Sequence, residues 1–296
     1  AYAACPPGLA ALYRLDEAAG PFEDELGGPA GACTNCPAAA AGRVGNAQRF
    51  NGIDTGIDVA DDGRFNWDAG QGFAIAFWFK TAAAGPGDRA VIGRTDAASG
   101  LNWWVGLKNG CPFFQLEQSG GAGVSVGGAA VLSDDQWHHV AAVRDGALGE
   151  NRLYVDGALT GTPAPFNYTS DFRGTAPVNV GHLNSGARYE GLVDEVGIYD
   201  RSLAPAEIQK QYRNGLAGKG GCDAGPVFTA LGLKQSIDKV GWEDVDGSLA
   251  AGFGMRLAPA AEYHYLDVSN DPVDTATDRP IHPGYYGFNL VAHPPG

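Results

Sequence analysis

Two kinds of side chain in this 296-residue sequence can do chemistry: carboxylates placed where water is scarce, and aromatic rings placed beside amides. Asp194 lies in GLVDEVGIYD, where Leu192, Asp194, Val196 and Ile198 share one parity and Val193, Glu195, Gly197 and Tyr199 the other. That is the period of a β-strand with one buried face. It predicts an Asp194 carboxylate set among apolar neighbours, which is costly unless a cation or several donors meet it. Trp104 shares a parity with Asn102 and Lys108, opposite to Leu101, Trp103, Val105 and Leu107; Phe113, Gln115 and Glu117 share another, opposite to Phe114 and Leu116. If Trp104 and Phe113 face an open side, they can stack on a sugar ring, with Gln115, Arg173 and Tyr189 supplying hydrogen bonds. The alternative is that loops or the C-terminal segment cover these rings.

Catalysis finds little support. Glycoside hydrolysis needs two carboxylates held across a cleft, and Glu117 has no carboxylate at alternate spacing. There is no G-x-S-x-G, no HExxH and no phosphate loop. His138 and His139 follow Trp137 at a strand start. Cys33 and Cys36 form a CxxC that reads as a local disulfide, half a metal knuckle or a redox pair. No second CxxC and no directly following His supports zinc or haem. Cys111 either pairs with one of these two or stays a buried thiol.

The elements that must position these residues are mostly strands. Alternation or apolar runs mark strands over residues 11–16, 73–80, 101–108, 111–118, 138–145, 151–156, 158–161, 178–181 and 192–199. Asn109-Gly110 and Asp156-Gly157 are two-residue hairpin signals. Residues 162–177, rich in Pro and polar groups, read as a loop, with a glycosylation sequon at Asn167. After the strand ending at Tyr199 the period becomes helical: Pro205 suits the first position, Glu207 the first turn and Gly215 the stop. The linker AGKGGCDAGP ends this region. Beyond it, residues 227–233, 249–257, 263–268 and 285–291 read as strands and 269–284 as a loop. This segment is too poor in aliphatic residues to be more than marginal alone.

The net charge of −14 argues against nucleic acid and anionic membrane surfaces as partners. No apolar run approaches the roughly 20 residues that span a bilayer. The start, AYAACPPG, lacks a basic n-region and reads as a mature or trimmed end. Five cysteines suggest an oxidising compartment.

Residues 191–212 resemble the closing strand and helix of laminin-G-like, concanavalin-A-like jelly-roll domains. Four more segments agree in the family's order: ALYRLDEAAG (11–20), GRVGNAQRFNGIDTGIDVAD (42–61), GFAIAFWFKT (72–81), and DDQWHHVAAVRDG followed by NRLYVDG (134–157). The resemblance covers roughly residues 5–222. It departs at Ala204, where the family has a Ser or Thr cap, and at the insertion GACTNCPA (31–38). It implies an all-β, two-sheet antiparallel sandwich with one short helix near 205–214. It implies a first strand lying close to the tail after the helix, and so a Cys5–Cys222 disulfide. It further implies a structural Ca²⁺ held by Asp194, Asp16 and oxygens of the Asn51, Gly52 and Asp54 turn. The expectation is a sandwich over 1–222, with a β-rich extension over 223–296 that packs on the sandwich or on a neighbouring subunit. The expected protein is secreted or on the cell surface, non-enzymatic, Ca²⁺-stabilised, and binds glycan or extracellular matrix. The alternatives are a structural subunit that assembles with copies of itself through the extension and, last, a carbohydrate-active enzyme.

Overall fold

The computed structural model describes residues 5–184 and 186–222, and three short strands farther on. The chain divides into two compact units, Ala1–Ala224 and Gly225–Gly296. The first unit runs β1 (Leu9–Tyr13), β2 (Gly31–Ala32), β3 (Ala38–Ala41), β4 (Asn46–Asn51), β5 (Ile57–Val59), β6 (Phe73–Lys80), β7 (Asp88–Asp96) and β8 (Leu101–Lys108). It continues with β9 (Cys111–Glu117), β10 (Gly123–Gly127), β11 (Trp137–Asp145), β12 (Glu150–Val155), β13 (Ala158–Pro165), β14 (Val178–Val180), β15 (Glu190–Tyr199) and α1 (Pro205–Leu216). In the second unit, β16 (Tyr265–Leu266), β17 (Pro272–Asp274) and β18 (Arg279–Pro280) pair antiparallel in that order. Two of these strands fall in the stretch read as a loop, because a proline opens one and closes the other and hides the strand signal. The expected strands over 227–233, 249–257 and 285–291 lie outside the described residues.

The first unit is the jelly-roll sandwich that the resemblance implies. One sheet has the order β13-β12-β11-β6-β15-β4-β3, with β1 also on β15; the other has β10-β9-β8-β7-β14-β5-β2. The core between them is built by strict alternation. β6 contributes Phe73, Ile75, Phe77 and Phe79, β8 contributes Trp103, Val105 and Leu107, and β9 contributes Phe114 and Leu116. Burying one such ring or branched side chain is worth about 1.5–3 kcal/mol. Both two-residue turns are as the sequence signals: Asn109 and Gly110 have φ of 53° and 80°, and Asp156 and Gly157 have 52° and 78°, the left-handed pair of a type I′ turn. β13 runs four residues past its expected end. Pro163 and Pro165 are tolerated there because β13 is an edge strand.

The outer face of the eight-stranded sheet carries a second apolar cluster of Ala74, Ala76, Ala141, Val143, Tyr154, Tyr199, Leu203 and Ile208. Its alanines let α1 approach closely. Tyr212 stacks on Trp78 at 5.7 Å, and a Cβ on Gly215 would collide with the Trp78 indole. Ala204 makes no side-chain cap. Half of a capping box remains, because Glu207 Oε2 accepts the Ala204 N–H at 2.9 Å while Arg201 holds the same carboxylate at 2.6 and 2.9 Å.

Candidate functional site

The outer face of the seven-stranded sheet is built differently. With Trp103, Val105, Leu107, Phe114 and Leu116 in the core, alternation sends Asn102, Trp104, Lys108, Phe113, Gln115 and Glu117 to the opposite side. A row of directly paired residues crosses the sheet from Asp58 through Asn179, Gly93, Trp104 and Gln115 to Ser125. Beside it, Thr95, Asn102 and Glu117 are paired on three successive strands. Their side chains form a hydrogen-bonded ladder. Thr95 Oγ1 donates to Asn102 Oδ1 at 2.8 Å, Asn102 Nδ2 to Glu117 Oε2 at 2.9 Å, and Gln115 Nε2 to Glu117 Oε1 at 2.5 Å. Trp104 is only 4% exposed and packs against Phe113 at 5.0 Å. The ring left at the surface is therefore the half-buried Phe113, with Lys108 Nζ 4.8 Å from its centre. The platform offers one aromatic face, two amides, a hydroxyl and a carboxylate, a donor set suited to a hydroxyl-rich ligand. It is poorly suited to glycoside hydrolysis. Asp58 lies four strands from the Gln115 position, about 19 Å away at the usual strand spacing, well beyond the roughly 5–9.5 Å that paired catalytic carboxylates need.

Two expected members of this face are elsewhere. Tyr189 is fully buried in the core, its hydroxyl 2.9 Å from the Lys80 carbonyl and 3.1 Å from the Leu192 carbonyl. Its phenol closes main-chain bonds and cannot meet a ligand. Arg173 is exposed but leaves the face for a loop, where it pairs with Asp68 at 2.6 Å and Asp171 at 3.3 Å. Thr95, Asn102 and Glu117 are not among the expected ligand residues, although Asn102 shares the parity of Trp104 and Glu117 that of Phe113. Their alignment is nonetheless encoded, because a two-residue turn at Asn109-Gly110 fixes Asn102 opposite Glu117 and Trp104 opposite Gln115.

Asp194 is fully buried, but on the other side of its strand from the core. A bulge between Asp194 and Gly197, with Glu195 at φ 52°, resets the alternation. Val193, Val196 and Ile198 enter the core, while Asp194 pairs with Trp78 beneath the helix face. One edge of β15 is shared: β4 pairs with residues 190–193 and β1 with residues 196–199. Asp194 stands at the junction. Its Oδ2 accepts the N–H groups of Arg43 and Val44 at 2.7 and 2.9 Å. Asp16 grips the same turn, accepting the Asn46 N–H at 2.6 Å. Burial pushes the Asp194 carboxyl up to about 8, against the pull of the two N–H donors. Its Oδ1 is buried without a hydrogen-bond partner among the described residues.

That orphaned oxygen fits a proton or a hard cation. The five-residue calcium set does not converge on it, however. Asn51 pairs with Glu190, four residues from Asp194 and about 13 Å along the strand. Asn51 Oδ1 is itself consumed by the N–H groups of Ile53, Asp54 and Thr55 at 2.9–3.2 Å, and Asp54 accepts from Asn51 and Asn35. Among the described residues no group of three or more acidic, His or Cys side chains is placed to hold a metal ion. A cation at Asp194 and Asp16 would draw its remaining ligands from main-chain oxygens and water.

A family model described as the concanavalin A-like lectin/glucanases superfamily matches residues 51–209, more than half of the chain. The chain belongs to this superfamily. No curated protein matches it. Among solved structures it is similar to the binding domain of Paraclostridial Mosquitocidal Protein 1 (16% identity, TM-score 0.57, 69% of this chain and 52% of that one) and to the Botulinum neurotoxin serotype G binding domain (15%, 0.57, 69% and 50%). It thus spans about half the length of these two. It is also similar to domain 4 of AbnA, an extracellular arabinanase from Geobacillus stearothermophilus solved with arabinotriose (22%, 0.53, 71% and 98%). At these identities the likeness is one of fold.

In this concanavalin A-like chain, Cys5 and Cys222 are joined by a disulfide, with Cα atoms 4.3 Å apart, that closes the first unit. Cys33 and Cys36 form a second, local disulfide, and Cys111 is a half-buried free thiol. No described helix is long and apolar enough to cross a membrane.

Proposed function

We propose that this chain is a non-catalytic extracellular binding module whose ligand face is the outer side of the seven-stranded sheet, and that its ligand is a neutral glycan. The observation that carries the reading is the ladder of Thr95, Asn102, Glu117 and Gln115 beside the Phe113 ring. It matches ligand hydroxyls with preset polar groups and an apolar ring face with an aromatic one. Superfamily membership and the neighbouring binding domains, one of them solved with arabinotriose, support a binding role. The separation of the face carboxylates supports a non-catalytic one. Two disulfides support an oxidising location. Calcium bound at Asp194 and Asp16 would brace the β1–β15–β4 junction, and the orphaned Asp194 oxygen supports that part of the reading.

A glycan array with and without EDTA tests the reading. Binding by the wild-type chain and its loss in Phe113→Ala and Gln115→Ala, both folded, is the expected result. No glycan bound under either condition would end it.

A further inference from the structure

At one end of the sandwich a cleft of about 420 Å³ opens between the β11–β12 turn, the segment before β6 and the segment after β13. Arg144, Gly146, Gly149, Phe166, Asn167 and Tyr168 are among its lining residues. Arg144 is 3% exposed, yet its Nε and Nη1 have no hydrogen-bond partner. One face of the guanidinium lies over the Tyr168 ring at 4.6 Å. Tyr168 is itself fixed: its hydroxyl donates to the Leu116 carbonyl and accepts from Asn151 Nδ2, each at 2.9 Å. The adjacent carboxylate, Asp145, is turned away and held by Arg152 at 3.2 Å. No described carboxylate pairs with Arg144.

A buried cation without a counter-charge is costly, and removing the charge or supplying an anion relieves the cost. The other buried arginine among the described residues is satisfied. Arg94, fully buried, is bonded to Asp61, Asn66 and the carbonyls of Phe65, Gly174 and Ala176. The contrast marks Arg144 as a group awaiting a partner from outside. A guanidinium offers its donors in a planar fork that matches a carboxylate. The Phe166 and Tyr168 rings give the cleft an apolar wall and Asn167 an amide at its mouth, and the volume lies within the range of small-ligand sites, about 300–1,000 Å³. We propose that the Arg144 cleft binds a small carboxylate-bearing ligand, the carboxylate on the guanidinium and the body of the ligand against the aromatic wall. The site is separate from the Phe113 face and does not rest on the function assigned there.

The test is titration of the full chain with glucuronate, N-acetylneuraminate, acetate and, as a neutral control, glucose, read by NMR at the Arg144 Nε–H signal and, in wild type and variants alike, at the backbone amides of the cleft residues 146 and 166–168. The expected result is a saturable response to at least one carboxylate, none to glucose, and a loss of affinity of about tenfold or more in Arg144→Met. Phe113→Ala should leave the response unchanged. Acetate binding as well as the sugar acids would support the carboxylate site and remove the sugar from it. Should Arg144→Met fail to fold, Asn167→Trp, an exposed substitution at the mouth, carries the same prediction. Absence of a saturable response to all three carboxylates, or a response that persists in Arg144→Met or Asn167→Trp, would overturn the proposal.

Discussion

The two outer faces of the sandwich make opposite use of the same alternation. On the eight-stranded sheet β6 and β11 point Ala74, Ala76, Ala141 and Val143 outward beside Trp78, and α1 seals them. On the seven-stranded sheet the outward Thr95, Asn102, Glu117 and Gln115 bond to one another, and only the Asp58–Asn179 end is met by the segment carrying His182 and Asn184. A sealed face contributes to stability through burial. A face left with preset polar groups contributes little to stability, and under the proposed function it is kept for a ligand. Substitutions on the two should therefore split cleanly between folding and binding.

The largest effect belongs to the covalent closure of the unit. Replacing Cys5 and Cys222 by Ser should lower unfolding free energy by about 5 kcal/mol in the chain-entropy model, measured by urea denaturation. Next, on the sealed face, Ile208→Ala should cost about 2–5 kcal/mol with the rest of the sandwich intact; a cost below half of that would mean α1 is dispensable and the contrast false. Asp194→Ala strands the Arg43 and Val44 N–H groups and should cost about 2–4 kcal/mol. Asp194→Asn keeps an acceptor for them and should cost less, while abolishing any rise of melting temperature with added Ca²⁺. A rise that survives in Asp194→Asn places the cation elsewhere.

Smaller still is the pH dependence at the start of β11. His138 Nδ1 lies 2.8 Å from Asp156, and Nε2 lies 3.2 Å from Asp134. The Asp156 hydrogen bond raises the imidazole above its ordinary range, against desolvation. The native state therefore holds the proton more tightly than the unfolded chain. The stabilisation is full below about pH 6.5 and is lost as pH rises through the raised value. The raised Asp194 carboxyl adds a decline of its own over the same range, so melting curves from pH 5 to 9 are compared in Asp194→Asn, where adding His138→Gln should reduce the remaining fall. The smallest stability change is expected on the open face, where Phe113→Ala should cost under about 1 kcal/mol while removing glycan binding.

Much of this was legible in the residues. Paired runs about Asn109-Gly110 and Asp156-Gly157 fixed hairpins, register and facing, and with them the ladder. What escaped was whatever breaks alternation. The bulge at Glu195 moved Asp194 out of the parity of Val196 and Ile198, and no residue type announces a bulge made by glutamate. β3 is four alanines, whose strand character comes only from pairing with β4. Tyr189 looks like a surface phenol until main-chain carbonyls are found on its hydroxyl. Arg94 and Arg144 sit in strands as charges of core parity, one sated by loops distant in sequence and one not, a difference that only the assembled chain reveals.

The bond between Cys5 and Cys222 also sets how the unit bears force. Tension applied through the segments on either side enters and leaves at a single covalent link, so the strands between them are bypassed. Pulled between those two attachment points the sandwich is not drawn apart, and only reduction of that link would expose its hydrogen bonds to the pull.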